Sequence, residues 1–475
     1  MDEQKVVSYF KKVCSIPRAS GDEKAISDYI VSFAKERGLD VTQDEYYNVI
    51  IRKPATVPNA GDAVILQGHL DMVYVKDNGC DHVYENGIEV KEDEKYYYAE
   101  GTSLGSDNGI AVAFCLAILD SDSIAHPDLE VIFTVQEETG LSGAETIDIS
   151  SLKGTRFINL DSEEEGVFYT SCAGGVRSRM IWNIETQRLQ QPVVPLQIDF
   201  QGLAGGHSGI NIGNGLGNAI VLLGRLLYEL RDMQVWIGSI DAPGKANAIA
   251  KDASIVLYVA PEELKDIKAK ISDTEAIFQA ELQYTDTISF ALTEGKPTKD
   301  AEVYTKKYQE NIMNALILIP DGVSGYSFAV DDLIETSMNL GALTCEDKTL
   351  TLLMSLRSSV ESRKQMLRNK LQVIGDSYSD ACIFEFDYPG WQYRSESPLR
   401  DKAIALYEKM FGKKAEVAAI HAGLECGYWD GKKPGLDIIS TGPNLYDVHS
   451  TKEKVSKESI SHMWQYLQEL LKELA

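Results

Sequence analysis

Five short segments of this 475-residue chain each close a strand-like apolar run with a side chain that can hold a metal ion. They are VILQGHLD (residues 64–71), GSDNG (105–109), VIFTVQEETG (131–140), FINLDSE (157–163) and LYDVHSTKE (445–453). Together they supply two histidines and three carboxylates, with one further glutamate next door. That set fits two divalent ions plus a general base, the equipment for hydrolysing an amide bond. Open α/β sheets bind ligands outside the carboxyl ends of their strands, so the placement constrains the fold as well as the chemistry.

The surrounding pattern predicts such a sheet. Helical spacing of apolar residues on both sides of residues 15–21 reads as two helices and a loop. Residues 62–72, 129–136 and 156–160 read as strands of nearly continuous apolar character, as expected where both faces are covered. NGIAVAFCLAILD (108–120) is a buried helix opening directly after Asp107. Alternation of strand and helix predicts an α/β fold with a mostly parallel central sheet flanked by helices.

The middle of the chain changes style. Period-2 stretches over 176–201, a glycine-rich turn, a helix around 218–231, a strand at 253–260, a Lys- and Glu-rich helix to about 280, a strand at 348–355 and a helix at 362–377 predict an inserted α+β domain. Its expected core is a small antiparallel sheet with two helices on one face. The stretch 292–333 is too irregular to place. The expected division is a first catalytic part (1–173), an inserted lid or dimerisation domain (174–385) and a second catalytic part (386–475). In the last helix Ile460, Met463, Trp464, Leu467, Leu470, Leu471 and Leu474 form one stripe that packs on the core.

Composition narrows the partners. Lys and Arg number 46 against 72 Asp and Glu, a formal charge of −26, which argues against a nucleic-acid partner. The seven cysteines are scattered, odd in number and without C-x-x-C, so neither a disulfide framework nor a zinc ribbon is expected, and a reducing cytoplasm is the natural home. The first ten residues carry no apolar core of a signal peptide, and no stretch approaches the ~20 apolar residues of a membrane span. A soluble cytoplasmic protein with no membrane partner is expected.

Each candidate has a bland alternative. His69 and Asp71 sit two apart at a strand end, where His69 is free to bind metal while Asp71 orients its other nitrogen, or the pair is a surface His-Leu-Asp. Asp107 precedes a helix and is either an N-cap or a carboxylate bridging two ions. Glu137 and Glu138 are adjacent acids that repel unless a cation is near; pointing apart, one can bind metal while the other faces a water. Asp161 ends a strand or opens a solvated acidic loop, and His449 lies in a late loop. GNGLG (213–217) lacks the spacing of a dinucleotide fingerprint, GTSLGSDNG lacks the lysine of a phosphate loop, and GHSG is no serine-hydrolase elbow.

The order H-x-D, S-D-N-G, E-E-x-G, N-x-D-x-E and late H-S-x-x-E, from residue 69 to 453, resembles the two-zinc metallopeptidases that include aminoacylase and bacterial carboxypeptidases acting on folate-like substrates. QGHLDMV, GTSLGSDNGIAVA, QEETGLSGA, NLDSEEEG, GGHSG and HAGLECG resemble that family's branch of aminoacyl-histidine dipeptidases. The resemblance implies a zinc-peptidase-like sheet with an inserted lid, two Zn²⁺ per chain, and Co²⁺ or Mn²⁺ as substitutes. His69 and Asp161 would bind one zinc, Glu138 and His449 the other, and Asp107 would bridge them. Glu137 would be the general base, with Asp71 and His207 completing the catalytic set and His207 steadying the oxyanion. Asn247, in a GKANAIA motif that departs from the more usual ending with proline, would hydrogen-bond the substrate backbone. Arg357 would hold the C-terminal carboxylate, and His421 would contact substrate. The implied activity is hydrolysis of Xaa-His and other dipeptides, β-alanyl-histidine included; the alternative is an aminoacylase acting on N-acyl amino acids. A homodimer is implied, with the lid as its surface.

Overall fold

The computed structural model describes residues 3–58, 60–330 and 333–475, and these form two compact units. The first comprises Met1–Cys172, Trp391–Ile420 and Leu424–Ala475; the second comprises Ala173–Gly390 and His421–Gly423.

The first unit is built on an eight-stranded sheet. Its spatial order is Asp40–Gln43, Val49–Lys53, Leu129–Thr134, Val64–His69, Arg156–Asn159, Asp437–Ser440, Val167–Cys172 and Glu416–Ile420. The four central strands run parallel, aligned by pairings such as His69 with Thr134, Gln67 with Asn159 and Ser440 with Asn159. Both Val64–His69 and Leu129–Thr134 are buried throughout, which explains their nearly continuous apolar runs. Helix Ser106–Leu119 is buried on nearly every side, whereas Lys457–Leu474 buries one face, the predicted stripe together with Ser459 and Tyr466.

Inside this core lies a row of polar side chains that the apolar pattern concealed. The Gln67 amide donates to the Glu425 carboxyl and, at 3.2 Å, to the Thr134 hydroxyl. Asn159 Nδ2 donates to Gln67 Oε1 at 2.5 Å, Ser440 Oγ donates to Asn159 Oδ1 at 2.5 Å, and Thr134 Oγ1 donates to Glu425 Oε2 at 2.9 Å. All five residues are buried, and their mutual bonds offset the cost of dehydrating them. The row ties neighbouring parallel strands together near their carboxyl ends.

The second unit contains two larger antiparallel sheets rather than the single small one expected. One has the order Val235–Asp241, Ala253–Val259, Val194–Gln201, Ser289–Glu294. The other has the order Gly322–Tyr326, Ile334–Glu346, Thr349–Ser358, Gly174–Asn183, Ala381–Tyr388. Among the described residues it also carries helices Ala219–Glu229, Leu264–Leu282, Lys306–Leu318 and Glu361–Tyr378. The unplaced stretch 292–333 holds the end of one strand, Ala301–Tyr304, helix Lys306–Leu318 and strand Gly322–Tyr326; Asp331 and Asp332 lie outside the described residues. Strand Ala381–Tyr388 runs past the boundary expected at residue 385.

Candidate metal centre

The ligand candidates of the first unit gather at the carboxyl ends of its parallel strands. His69 ends its strand; two residues after Thr134 the chain reaches Gln136, then Glu137 and Glu138; Asp161 follows Asn159 by two residues. His69 Nε2 lies 3.1 Å from Asp107 Oδ1 and 3.3 Å from Asp161 Oδ1. His449 Nε2 lies 3.1 Å from Asp107 Oδ2 and 2.8 Å from Glu138 Oε1. Asp107 therefore presents one oxygen to each imidazole, with His69 and Asp161 on one side and His449 and Glu138 on the other.

Asp107 does not cap its helix. Its backbone has the extended conformation an N-cap would take (φ −82°, ψ 109°), but its carboxylate oxygens turn to the His69 and His449 rings instead of to the helix amides. Asn108, beside it, accepts from His69 N–H at 3.1 Å and donates to the Leu160 carbonyl at 2.9 Å, fastening the strand ends that carry His69 and Asp161. Gly68 makes room: a Cβ there would sit 2.5 Å from the Asn108 side-chain oxygen. Asp71 lies 3.3 Å from His69 Nδ1 and accepts from Ser20 Oγ at 2.8 Å, Glu137 N–H at 3.0 Å and Glu138 N–H at 3.2 Å. It thus orients both the His69 ring and the acidic pair.

The electrostatics are those of a cation site. Burial opposes charge on His69, yet Asp161, Asp107 and Asp71 hold its pKa well above the ordinary value. Hydrogen bonds to Asp107 and Glu138 raise His449 to about 11. Burial works against a charged Asp107, but the His449 and His69 rings hold it below the usual carboxylate range. Burial pushes Glu137 well up, with Asp161, Glu425 and Glu138 adding repulsion. Among the described residues no lysine or arginine forms an ion pair with Asp107, Glu137, Glu138 or Asp161. Half-buried carboxylates outnumbering their histidine partners, with no lysine or arginine paired to them among the described residues, are a donor set that fits divalent metal ions. One ligand atom each from His69, Asp107 and Glu138 lies within 4.8 Å of the others.

The remaining candidates belong to the second unit and cluster there. Strand Gly206–His207 pairs with Ala248–Ile249, setting His207 opposite Ala248 and next to Asn247, whose carbonyl accepts from Ser208 N–H at 2.9 Å. Asn339 donates to the Ala246 and Ala248 carbonyls at 3.0 and 2.9 Å, holding that turn with Asn247 exposed. Arg357 is paired across the sheet with Ser337, whose hydroxyl shares a 2.7 Å hydrogen bond with His421 Nε2. Gly209 and Ile210 N–H both donate to His207 Nδ1 at 3.2 Å, which fixes the ring proton on Nε2. Burial and the Arg357 charge lower the pKa of both histidines, His421 to about 4. Among the described residues no carboxylate pairs with the buried Arg357; Tyr388 Oη accepts from it at 3.3 Å.

The pattern of ligands missed their supports. Gln67, Asn108 and Asn159 were visible only as polar interruptions of motifs, Glu425 and Glu453 stood inside HAGLECG and H-S-x-x-E without a role, and Arg18 gave no signal.

Comparison with known proteins places the chain in a family. The model of peptidase family M20/M25/M40 matches residues 65–473. The cytosol non-specific dipeptidase of Escherichia coli (strain K12) is 34% identical, over 100% of this chain and 98% of the relative. The solved aminoacylhistidine dipeptidase of Vibrio alginolyticus superposes with a TM-score of 0.94 at 34% identity, covering 99% of this chain and 96% of that one. A tripeptidase from Staphylococcus aureus shares the fold at 14% identity, with a TM-score of 0.55 and coverage of 100% and 99%. With a family match that begins inside the His69 strand and ends in the last helix, the chain belongs to peptidase family M20/M25/M40.

Proposed function

We propose that the chain is a dinuclear metallodipeptidase that cleaves Xaa-His and other dipeptides, β-alanyl-histidine among them. The observation that carries this reading is the bridging geometry of Asp107, one oxygen towards His69 and Asp161 and the other towards His449 and Glu138. Relatives of matching length described as dipeptidases support the substrate class. Imidazole and carboxylate donors without thiolate suit zinc, with cobalt or manganese as substitutes. Ions held by these five residues supply Lewis acidity for the scissile carbonyl and acidify the attacking water.

The side chains do the rest. Glu137 takes a proton from the water as its oxygen adds to the carbonyl carbon, then delivers it to the amine as the C–N bond breaks. Glu137 N–H donates to Asp71 at 3.0 Å, which holds this glutamate beside the metal ligands. His207 offers its Nε2 proton to the oxyanion, and Arg357, buried and without a carboxylate partner among the described residues, binds the free C-terminal carboxylate through its planar fork. Asn247 hydrogen-bonds the substrate backbone, and His421 contacts the substrate. The protein works in the cytoplasm as a homodimer, which sedimentation of the purified protein tests. Among the described residues no helix is long and apolar enough to cross a membrane.

The deciding assay sets β-alanyl-histidine, α-dipeptides and N-acetyl amino acids before and after chelation and zinc return. Dipeptide cleavage that vanishes with chelator and returns with zinc supports the proposal. Activity confined to N-acetyl amino acids overturns it in favour of an aminoacylase.

A further inference from the structure

Two buried charges grip the chain around Asp107 from opposite sides. Glu453 is 2% exposed, yet its carboxylate accepts from Leu104 N–H (2.8 Å), Gly105 N–H (2.9 Å), Ser106 N–H (2.7 Å), Ser106 Oγ–H (2.7 Å) and Asp107 N–H (3.3 Å). Consecutive amides converging on one carboxylate form a nest. Arg18, fully buried, donates to the Leu70 and Asp71 carbonyls at 2.8 Å each and to the Gly105 carbonyl. The guanidinium thus holds the carbonyl side of the segment whose amide side Glu453 holds. Glycine is required at 105 and 109, where a Cβ would lie 2.6 Å from Arg18 Nη2.

Neither charge has an ion-pair partner among the described residues, so both are neutralised by main-chain dipoles. Burying charge in this way is expensive, and a simpler loop would avoid it. What the arrangement provides is position. Arg18 fixes the residue that orients His69, namely Asp71; Glu453 fixes the amide of Asp107 itself. Glu453 also lies four residues beyond His449, at the entry to strand Lys454–Ser456, which pairs with Tyr96–Tyr98. His449 has a left-handed backbone (φ 60°), a conformation that needs firm anchoring on either side. One carboxylate therefore links the loop of Asp107 to the loop of His449.

We infer that Glu453, seconded by Arg18, is a positioning residue that holds the Asp107 carboxylate so that its two oxygens serve two ions at once, and that its loss weakens double occupancy selectively. This rests on the dinuclear reading of the site. Glu453→Gln keeps the size of the side chain but turns one acceptor into a donor facing donors. Ser106→Ala removes a single one of the five bonds.

The test is calorimetric titration of metal-free protein with Co²⁺, with visible spectra to follow ligation and thermal unfolding of the metal-free forms alongside. Wild type should bind two ions per chain. Glu453→Gln should hold its first ion within about threefold of wild type and bind the second about 10- to 100-fold more weakly. Ser106→Ala should shift the second ion in the same direction by a smaller factor, and it decides the matter alone if Glu453→Gln does not fold. Two ions bound with wild-type affinity by the variants would overturn the inference. So would equal weakening of both ions in step with a lower unfolding temperature, the mark of a merely structural role. Fewer than two ions on wild type would instead overturn the dinuclear reading itself.

Discussion

The histidines at the strand ends of the first unit and those beside Arg357 in the second are the same residue put to opposite use. His69 and His449 are surrounded by carboxylates that favour a positive ring, so their pKa values rise. His207, half-buried, and His421, buried, feel the Arg357 guanidinium, and both pKa values fall. The first environment attracts cations. The second, with a cation already fixed and no carboxylate pairing with it among the described residues, attracts an anion. Charge is segregated between the two units although the chain as a whole carries −26, so net charge says little about what either cluster binds.

The contrast predicts that metal and substrate affinity fail separately. Chelation should abolish turnover completely, with recovery at two equivalents of zinc per chain; recovery at one would break the dinuclear half of the comparison. Glu137→Gln should keep both ions by elemental analysis and lose about 10²–10⁴-fold in kcat. Arg357→Lys, which retains charge but not the fork, should raise KM for dipeptides about 10-fold or more while leaving metal content at two. A dipeptide amide, having no carboxylate to lose, should be hydrolysed equally by variant and wild type. Loss of metal in the Arg357 variant would show that the clusters are not separable.

The smallest effect concerns pH. Burial first and Arg357 second lower His421 from its ordinary 6.5 to about 4. Between those values the unfolded chain takes up a proton that the folded chain refuses. This contribution to stability is full above about pH 6.5 and is lost as pH falls towards 4, amounting to roughly 2 kcal/mol at pH 5. His421→Gln should reduce the difference in unfolding free energy between pH 7 and pH 5 by about that amount, measured by denaturant unfolding of the metal-free protein. Glu425 has the opposite sign: burial raises it to about 8, so its contribution, present below about 4.5, is lost as pH rises towards 8.

Much of the first unit was legible because its signals are local. Strands such as 64–69 and 129–134 are buried on both faces and read as apolar runs; the final helix shows its stripe; the ligands sit where those runs stop. The second unit was less legible. Its sheets join strands as distant as 174–183 and 381–388, and register between such partners leaves no mark within either segment. The residues 301–326 alternate short strands with a helix whose apolar stripe is thin, and they read as irregular.

Residue types and their order by themselves determined the inventory of the site: two imidazoles, the acids that meet them and the glutamate beside them. A metal centre needs particular donor atoms, and those are written in the letters. Only the tertiary structure decided how they are held. Whether Asp107 caps a helix or divides its oxygens between two histidines depends on a carboxylate 346 residues away and on an arginine from the first loop. Gln67, Asn159 and Glu425 likewise become one buried network only when distant strands lie side by side. Hydrogen bonds between partners far apart in sequence follow from three-dimensional packing, and no local pattern records them.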